Sequence, residues 1–496
     1  MGFIDSIRKR VRSFLQIEPA QKQDITIHEL MDFDTNVFRN RLWVRGDPYE
    51  LEQFFKNIGN NNSMFWSSVP SRPLRKIHTG VPSMMVNVMT SIVKRDFDGI
   101  DVSQKNIEWE AIAEANNFEE LLEQAINDTI IAGDGAFKFS YDSSDSKFPI
   151  IEFVTGDNID FIYKRRKLKE LVFKTVYKKD SKTFILFEHY GKGYIRYVLR
   201  DALNKDIYPL NTLEETANLQ DIAIDGYTVG DDGKIIPESD LMLAVPFKIQ
   251  NSSKWQGRGE SLIDKKDTVF DSLDEIVSQW MYAIRKSKPK EYIPSNMTPR
   301  DKNGVPMRPN EFDDIFISIG MDMNENARNQ IVLNQPTIPS ENYLQSYMTM
   351  LDLCLQGFMS PSTLGIDTKK LDNAEAQREK EKTTLYTRNL IIDALQKALP
   401  KLVNVALKAN EAFQGKKTSE GNVDVIVKFG EYASPSFEAL VEVLAKARTS
   451  NLMSIETLVD ELYGDSKDDD WKKEEVQRIK EELGDSTAIV EDLNLE

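Results

Sequence analysis

The residues able to do chemistry are few. The 496-residue chain has three histidines (His28, His78, His189) and one cysteine, Cys354. A lone cysteine excludes an intramolecular disulfide framework and a cysteine-based zinc cluster. The histidines are far apart and form no HExxH, so a histidine-rich catalytic metal site is not expected. There is no GxxxxGK[ST] phosphate loop, no GxGxxG after a strand and no GxSxG elbow. Gly257-Arg258-Gly259 and Gly191-Lys192-Gly193 read as a helix lead-in and a hairpin turn rather than nucleotide sites. Asp468-Asp469-Asp470 and the run from Asp142 to Asp145 lack the spacing of a calcium loop and read as solvated faces. With 80 acidic residues in the chain, no pair of carboxylates stands out as a catalytic dyad. Cys354 falls on an apolar helical stripe and reads as a buried structural thiol. The expectation is a protein with no catalytic, metal or cofactor site: not an enzyme.

The bases are more informative. Lys164, Arg165, Arg166, Lys167 and Lys169 fall between two predicted strands, a solvated hairpin end or a partner contact. Arg285, Lys286, Lys288 and Lys290 end a long predicted helix, where bases complement the helix dipole. In a ring of subunits they would also form a positive belt that meets phosphate or an acidic partner. Lys369 and Lys370 precede a charged helix and by themselves mean nothing. Against these stands a formal net charge of −17, from 63 basic and 80 acidic residues, which argues against coating nucleic acid through an overall basic surface. The tail from Asp465 to Glu496 holds twelve acids against five bases, a net of −7.

The elements that must position these groups divide by period. Residues 1–18 form a basic amphipathic helix, with Phe3, Ile4, Ile7, Val11, Phe14 and Leu15 between Arg8, Lys9, Arg10 and Arg12, suited to a membrane surface or to docking on protein. It lacks the apolar core and cleavage site of an export signal, and no run of about 20 apolar residues could span a bilayer; an intracellular protein is expected. Helices follow around Tyr49–Ile58, Val81–Val93 and Trp109–Ile126. From Ala136 to about Lys248 come short β-branched and aromatic runs separated by turn chemistry at Lys179-Asp180-Ser181 and Gly191-Lys192-Gly193, an antiparallel meander. Arg258–Ser287 carries a seam of Ile263, Phe270, Leu273, Ile276, Val277, Trp280, Met281 and Ile284 and predicts a helix about 45 Å long. Ser340–Phe358 repeats the pattern with Leu344, Tyr347, Met348, Leu351 and Leu355. Between them, 7 of the chain's 19 prolines fall within 51 residues, which ends the helix and inserts an irregular or β-containing module. A turn-rich segment, Met359–Leu371, leads to a charged helix from Asp372 to about Ala398, a bend at Pro400, a strand at Val423–Phe429 and a helical region from Ser436 to Leu483.

In this order, the arrangement resembles the portal proteins of tailed bacteriophages, particularly long-tailed phages of Gram-positive hosts. The resemblance is carried by Arg41-Leu42-Trp43-Val44-Arg45-Gly46-Asp47 with Leu51 to Phe55. It continues in Trp255 to Ile263 (WQGRGESLI), Gln356 to Asp367 (QGFMSPSTLGID) and Asn373 to Lys382 (NAEAQREKEK), and covers nearly the whole chain. It implies a multi-domain α+β fold. An N-terminal arm and wing would occupy 1–257, stem helices 258–287 and 340–358, and a clip 288–339. A tunnel loop would occupy 359–372, a tunnel-side helix and returning wing strand 373–430, and a crown with its acidic tail 431–496. Stem packing would fall to Phe270, Ile276, Trp280, Leu344, Tyr347 and Leu351, and DNA-facing positions in the loop to Ser362, Thr363, Lys369 and Lys370. The implied role is a homo-oligomeric ring, usually of about twelve subunits, at one capsid vertex of the virion, assembled in the host cytoplasm. Double-stranded DNA would pass through it without sequence recognition. Its partners would be the terminase motor, head–tail connector proteins, and capsid and scaffold proteins; no cofactor and no membrane are implied.

Phosphate contacts dominate nucleic-acid affinity, so a conduit gains from a repulsive wall with few lysines. Two other readings stay open. One is another virion structural adaptor. The other is a nucleic-acid-processing enzyme with a helical arm, which would require a phosphate loop or metal cluster.

Overall fold

A computed structural model of the chain describes residues 31–58, 64–69, 74–142, 146–229, 235–237, 239–288, 290–294, 300–305, 316–319, 332–334, 336–365, 374–430, 437–450, 452–463 and 469–492. The amphipathic helix expected over 1–18 and the candidate residues Lys369 and Lys370 lie outside these. The chain forms two units, one of Met1–Arg95 with Gly99–Lys428, the other of Asp96–Asp98 with Phe429–Glu496.

In the first unit, helix α1 (Phe33–Arg45) opens where the Asp32 carboxylate accepts the Thr35 N–H at 2.9 Å, and closes at Gly46 with φ +69°. A Cβ at Gly46 would lie 2.6 Å from the His78 ring, so both backbone and space call for glycine there. Asp47 accepts the Tyr49 N–H at 2.8 Å to start α2 (Pro48–Ile58), which buries Leu51, Phe54 and Phe55. Helix α3 (Val81–Asp96) buries Val81, Met85, Val86, Met89 and Val93, the buried helix expected from its apolar run. Strand β1 (Phe97–Val102) follows, and then two helices, α4 (Asn106–Ala115) and α5 (Phe118–Ala132), where one was expected. Asn116 and Asn117 divide them, Asn117 with φ +47°.

The meander is present. Strands β2 (Asp134–Ser140), β3 (Ile150–Thr155), β4 (Ile159–Lys164), β5 (Lys167–Lys179), β6 (Lys182–Gly191), β7 (Tyr194–Asp201), β8 (Ile207–Tyr208), β9 (Ile222–Ala223), β10 (Tyr227–Val229), β11 (Ile235–Pro237) and β12 (Ala244–Lys248) pair antiparallel throughout. One sheet runs β12-β2-β3, another β4-β5-β6-β7-β8 with β9 also on β7. The turns fall at Asp180-Ser181 and Lys192-Gly193, as the turn chemistry predicts. Along β6 the side chains alternate: Phe184 and Leu186 are buried against Leu199 and Leu213 and Tyr190 against the Phe173 ring, while Ile185 and Phe187 lie on the opposite face.

Helix α6 (Asp267–Lys286) begins nine residues later than the sequence pattern suggests and spans 20 residues, or about 30 Å rather than about 45 Å. Residues 258–266 are not helical because their polar groups bond elsewhere: Gly259 bridges to Asn251, and Lys265 has φ +67°. Between α6 and α7 (Ser340–Leu355) lies a sheet in which β13 (Lys290–Pro294) pairs parallel with β14 (Phe316–Ile319) and antiparallel with β15 (Val332–Asn334). A helix–β-insertion–helix plan is thus present. A short 3₁₀ turn, Pro361–Leu364, precedes α8 (Ala374–Phe413), a 40-residue helix. At Pro400, where a bend was expected, α8 continues through the proline as one helix. Leu395, Leu399, Leu402, Val403 and Ala406 are buried around the proline, and this packing outweighs a cost of about 3 kcal/mol for an interior proline. Strand β16 (Val425–Phe429) pairs with β1.

In the second unit the single predicted helical region is three helices, α9 (Phe437–Thr449), α10 (Ile455–Tyr463) and α11 (Asp469–Asp492). Tyr463 packs edge-on against Trp471, and Lys472 meets Asp460 at 2.8 Å. Most of the acidic tail is therefore the helix α11.

Candidate functional site: a helical hairpin and its anchor

Helices α6 and α7 pack antiparallel. Trp280 and Tyr343 stack with planes 4° apart and centroids 6.0 Å apart. At the other end, Lys266 Nζ donates to the carbonyls of Leu353 (3.3 Å) and Gln356 (2.8 Å), a cation on the C-terminal carbonyls of α7.

The base of α6 is held by buried carboxylates. Asp271 accepts the N–H groups of Phe65 and Trp66 at 2.7 and 3.0 Å. Burial pushes its carboxyl up to about 6. Asp274, fully buried, accepts from Trp66 Nε1 (3.1 Å), Thr79 N (2.8 Å) and Thr79 Oγ1 (2.9 Å), and faces His78 Nδ1 at 2.7 Å. One turn on, Ser278 Oγ accepts the Ile77 N–H at 2.9 Å. Lys76 Nζ closes the loop by donating to the carbonyls of Trp66 and Ser68 at 2.9 and 2.8 Å. Residues 65–68 and 76–79 are thereby tied to one face of α6.

A second polar junction precedes the helix. Arg258 forms a two-pronged bond to Asp134, with both distances 2.9 Å, and donates to the Gly156 carbonyl at 2.7 Å. Its guanidinium lies 3.6 Å from the centroid of the Phe33 ring. A Cβ at Gly259 would sit 2.1 Å from the Gly133 carbonyl oxygen, so the two backbones approach as closely as they do only because this residue is glycine. Asp264 accepts from Asn36 (3.0 Å) and Asn40 (2.8 Å), and Arg39 reaches Asp267 at 3.3 Å. Arg41 takes Asp157 at 2.6 Å. Trp43 packs on Phe55 and Phe270 at 5.5 and 5.7 Å. The motifs at 41–47 and 255–263 therefore belong to one packed junction at the foot of α6.

The His78–Asp274 pair has the look of a general base and its orienting carboxylate, but both ring nitrogens are engaged within the fold: His78 Nε2 faces the Trp43 carbonyl at 3.1 Å, and the ring is 4% exposed. Burial raises the Cys354 thiol to about 12, so it is inert, as its position on the apolar stripe suggests. A cleft of about 640 Å³ gathers Lys401, Lys408 and Lys417 with Asp225, Asp240 and Glu420, bases and acids in balance. Among the described residues no cluster of three or more His, Cys, Asp or Glu could hold a metal ion, and no helix is long and apolar enough to cross a membrane.

The hairpin changes character along its length. At its base Phe270, Leu273, Leu351, Cys354 and Leu355 are buried. Farther out Ile276, Trp280 and Tyr347 are half-buried, and Met281, Ile284 and Leu344 are exposed at 39, 41 and 51%. Of the residues expected to pack the hairpin, Phe270 and Leu351 are thus core, while Leu344 is half exposed among the described residues. Arg285, Lys286 and Lys288 are half-buried at the helix end, with Lys286 over the Tyr282 ring at 5.3 Å, and each interacts with neighbouring groups. Lys290 opens β13.

Ser362 and Thr363, expected to face DNA, are half-buried. The Ser362 hydroxyl is buried, and Thr363 Oγ1 lies 2.7 Å from Thr384 Oγ1 on α8, which also accepts the Ser360 N–H at 2.9 Å.

No family model and no curated protein matches the chain. Among solved structures it is similar to a chain in the virion of a native gene transfer agent particle, at 10% identity and a TM-score of 0.39, with 90% of this chain and 96% of that chain covered. It is likewise similar to a chain in the neck of such a particle computed with C12 symmetry, at 10% identity and a TM-score of 0.39, with 78% and 90% covered. Both are too distant for function to be read across.

Proposed function

We propose that this chain is a ring-forming portal protein of a tailed phage. In this reading about twelve copies surround a channel at one capsid vertex, through which double-stranded DNA is packaged and ejected. The ring docks a terminase motor and later the head–tail connectors. The observation that supports it is the α6–α7 hairpin: clamped at its base, interrupted by a β insertion, and apolar on an outer half that is left partly exposed among the described residues. Exposed apolar residues at Met281, Ile284 and Leu344 on the outer half of a helix pair are stabilised by neighbouring copies of the same pair, and heterologous contacts of that kind give a ring where the rotation closes. The portal-like order of motifs along the sequence agrees with the same reading. No step of it requires a catalytic residue or cofactor. Arg285, Lys286, Lys288 and Lys290 would then form a basic belt, and Lys369 and Lys370, with Ser362 and Thr363, would be the tunnel-loop positions nearest the DNA.

Mass photometry with negative-stain imaging of the purified chain tests this directly. Closed rings with a central hole are expected. A monomer at micromolar concentration, or an open filament, would overturn the proposal.

A further inference from the structure

The five bases at the β4–β5 turn belong to neither the hairpin nor its anchor. Lys164, Arg165, Arg166, Lys167 and Lys169 are all exposed. None makes an ion pair or side-chain hydrogen bond among the described residues. The neighbouring acids are engaged elsewhere: Glu170 with His189 at 3.2 Å and Tyr194 at 3.0 Å, and Asp160 with Lys174 at 2.6 Å. A chain of net charge −17 thus carries five uncompensated positive charges at one tip.

Folding does not account for them. Arg165 and Arg166 are the two central residues of the turn, with φ of +50° and +62°. Hairpin turns with two left-handed residues favour Asn-Gly, and arginine adopts that backbone at a cost. Lys164 and Lys167 sit directly opposite one another across the strands, a like-charge pair that weakens a hairpin. Each local choice works against the turn, and such conflicts gather where a surface serves something other than stability.

We propose that the β4–β5 tip contacts the phosphate backbone of double-stranded nucleic acid, independent of base sequence. Duplex DNA presents one charge per about 1.7 Å of axis, a density that matches a cluster of five bases. The guanidinium fork suits phosphate, and a two-stranded ribbon is of a size that fits the major groove. Tyr163, beside the tip, has its hydroxyl committed to the Gly257 carbonyl at 3.0 Å and does not reach for base edges. The chain's acidity elsewhere does not prevent the contact, because charges beyond about 8 Å are largely screened at physiological salt. The proposal does not rest on the ring reading and holds for a single copy.

The test is fluorescence anisotropy of a labelled mixed-sequence duplex with the full chain. Four or five phosphate contacts predict affinity falling roughly a hundredfold or more between about 50 and 200 mM salt. The double variant Arg165→Asn with Arg166→Gly places the favoured turn residues at both positions. It is expected to melt at the same temperature or higher and to bind duplex at least about tenfold more weakly, with a salt slope reduced by about 2. The control pair Lys178→Ala with Lys397→Ala, two exposed bases elsewhere, should leave binding within about twofold. Unchanged binding by the Asn-Gly variant would overturn the proposal, as would a lowered melting temperature, which would make the arginines structural. Poly-glutamate held as tightly as the duplex would assign the tip to acidic protein instead.

Discussion

Asp274 accepts three hydrogen bonds from Trp66 and Thr79 and faces His78, all without solvent. Its truncation strands every partner at once. Asp274→Ala is therefore expected to cost about 3–4 kcal/mol in urea unfolding, whereas a loss below about 1 kcal/mol would mean the anchor is marginal. Arg258→Lys keeps the charge and discards the two-pronged hold on Asp134, for an expected loss of about 2 kcal/mol. Asp271 gives a pH signature. Burial raises its carboxyl from the ordinary 3.8 to about 6, so the folded chain binds that proton more tightly than the unfolded one. The resulting stability is fully present below about pH 4 and is lost as pH rises through about 6. Relative to Asp271→Asn, the natural chain should gain roughly 2–3 kcal/mol between about pH 7 and pH 4; a gap that stays constant across that range would refute the assignment. Arg258 falls in a motif the sequence singles out, whereas the two aspartates do not stand out. Asp271 and Asp274 look like two of many acids on a helix, and their partners lie about 200 positions away.

At the scale of elements, the period of the apolar residues was enough to find most helices and the meander, because each buries one face. What it missed has local causes. Nothing in the spacing of Ile263 and Phe270 says that Arg258 and Asp264 are bound elsewhere, so α6 starts later than its seam. Nor does a proline reveal that the helix around it is packed well enough to continue. The hairpin seam, by contrast, was legible as apolar but not as exposed, since pattern alone cannot separate burial in one chain from burial between chains. If the outer half of the hairpin meets other copies, Ile284→Asp should leave the circular dichroism spectrum and melting temperature of the chain nearly unchanged and abolish the large species in light scattering. Retention of full-size assemblies would refute a role for that surface.

For the whole molecule, charge decides how copies come together. At −17 each, copies repel at long range, so assembly should rise as ionic strength increases from about 20 to 500 mM, as measured by light scattering; a fall would mean that attraction between opposite charges holds the copies instead. The α6–α7 pair adds a mechanical consequence. It is a beam clamped at one end: at its root α6 is gripped through Asp271, Asp274 and Ser278, while its far half has half-buried or exposed side chains and carries the β13–β15 sheet. A push on the sheet meets little resistance at the point of contact, and its torque is felt chiefly at the root. Stiffness along the hairpin is therefore graded, and whatever docks on the sheet has a lever on the packed junction around His78.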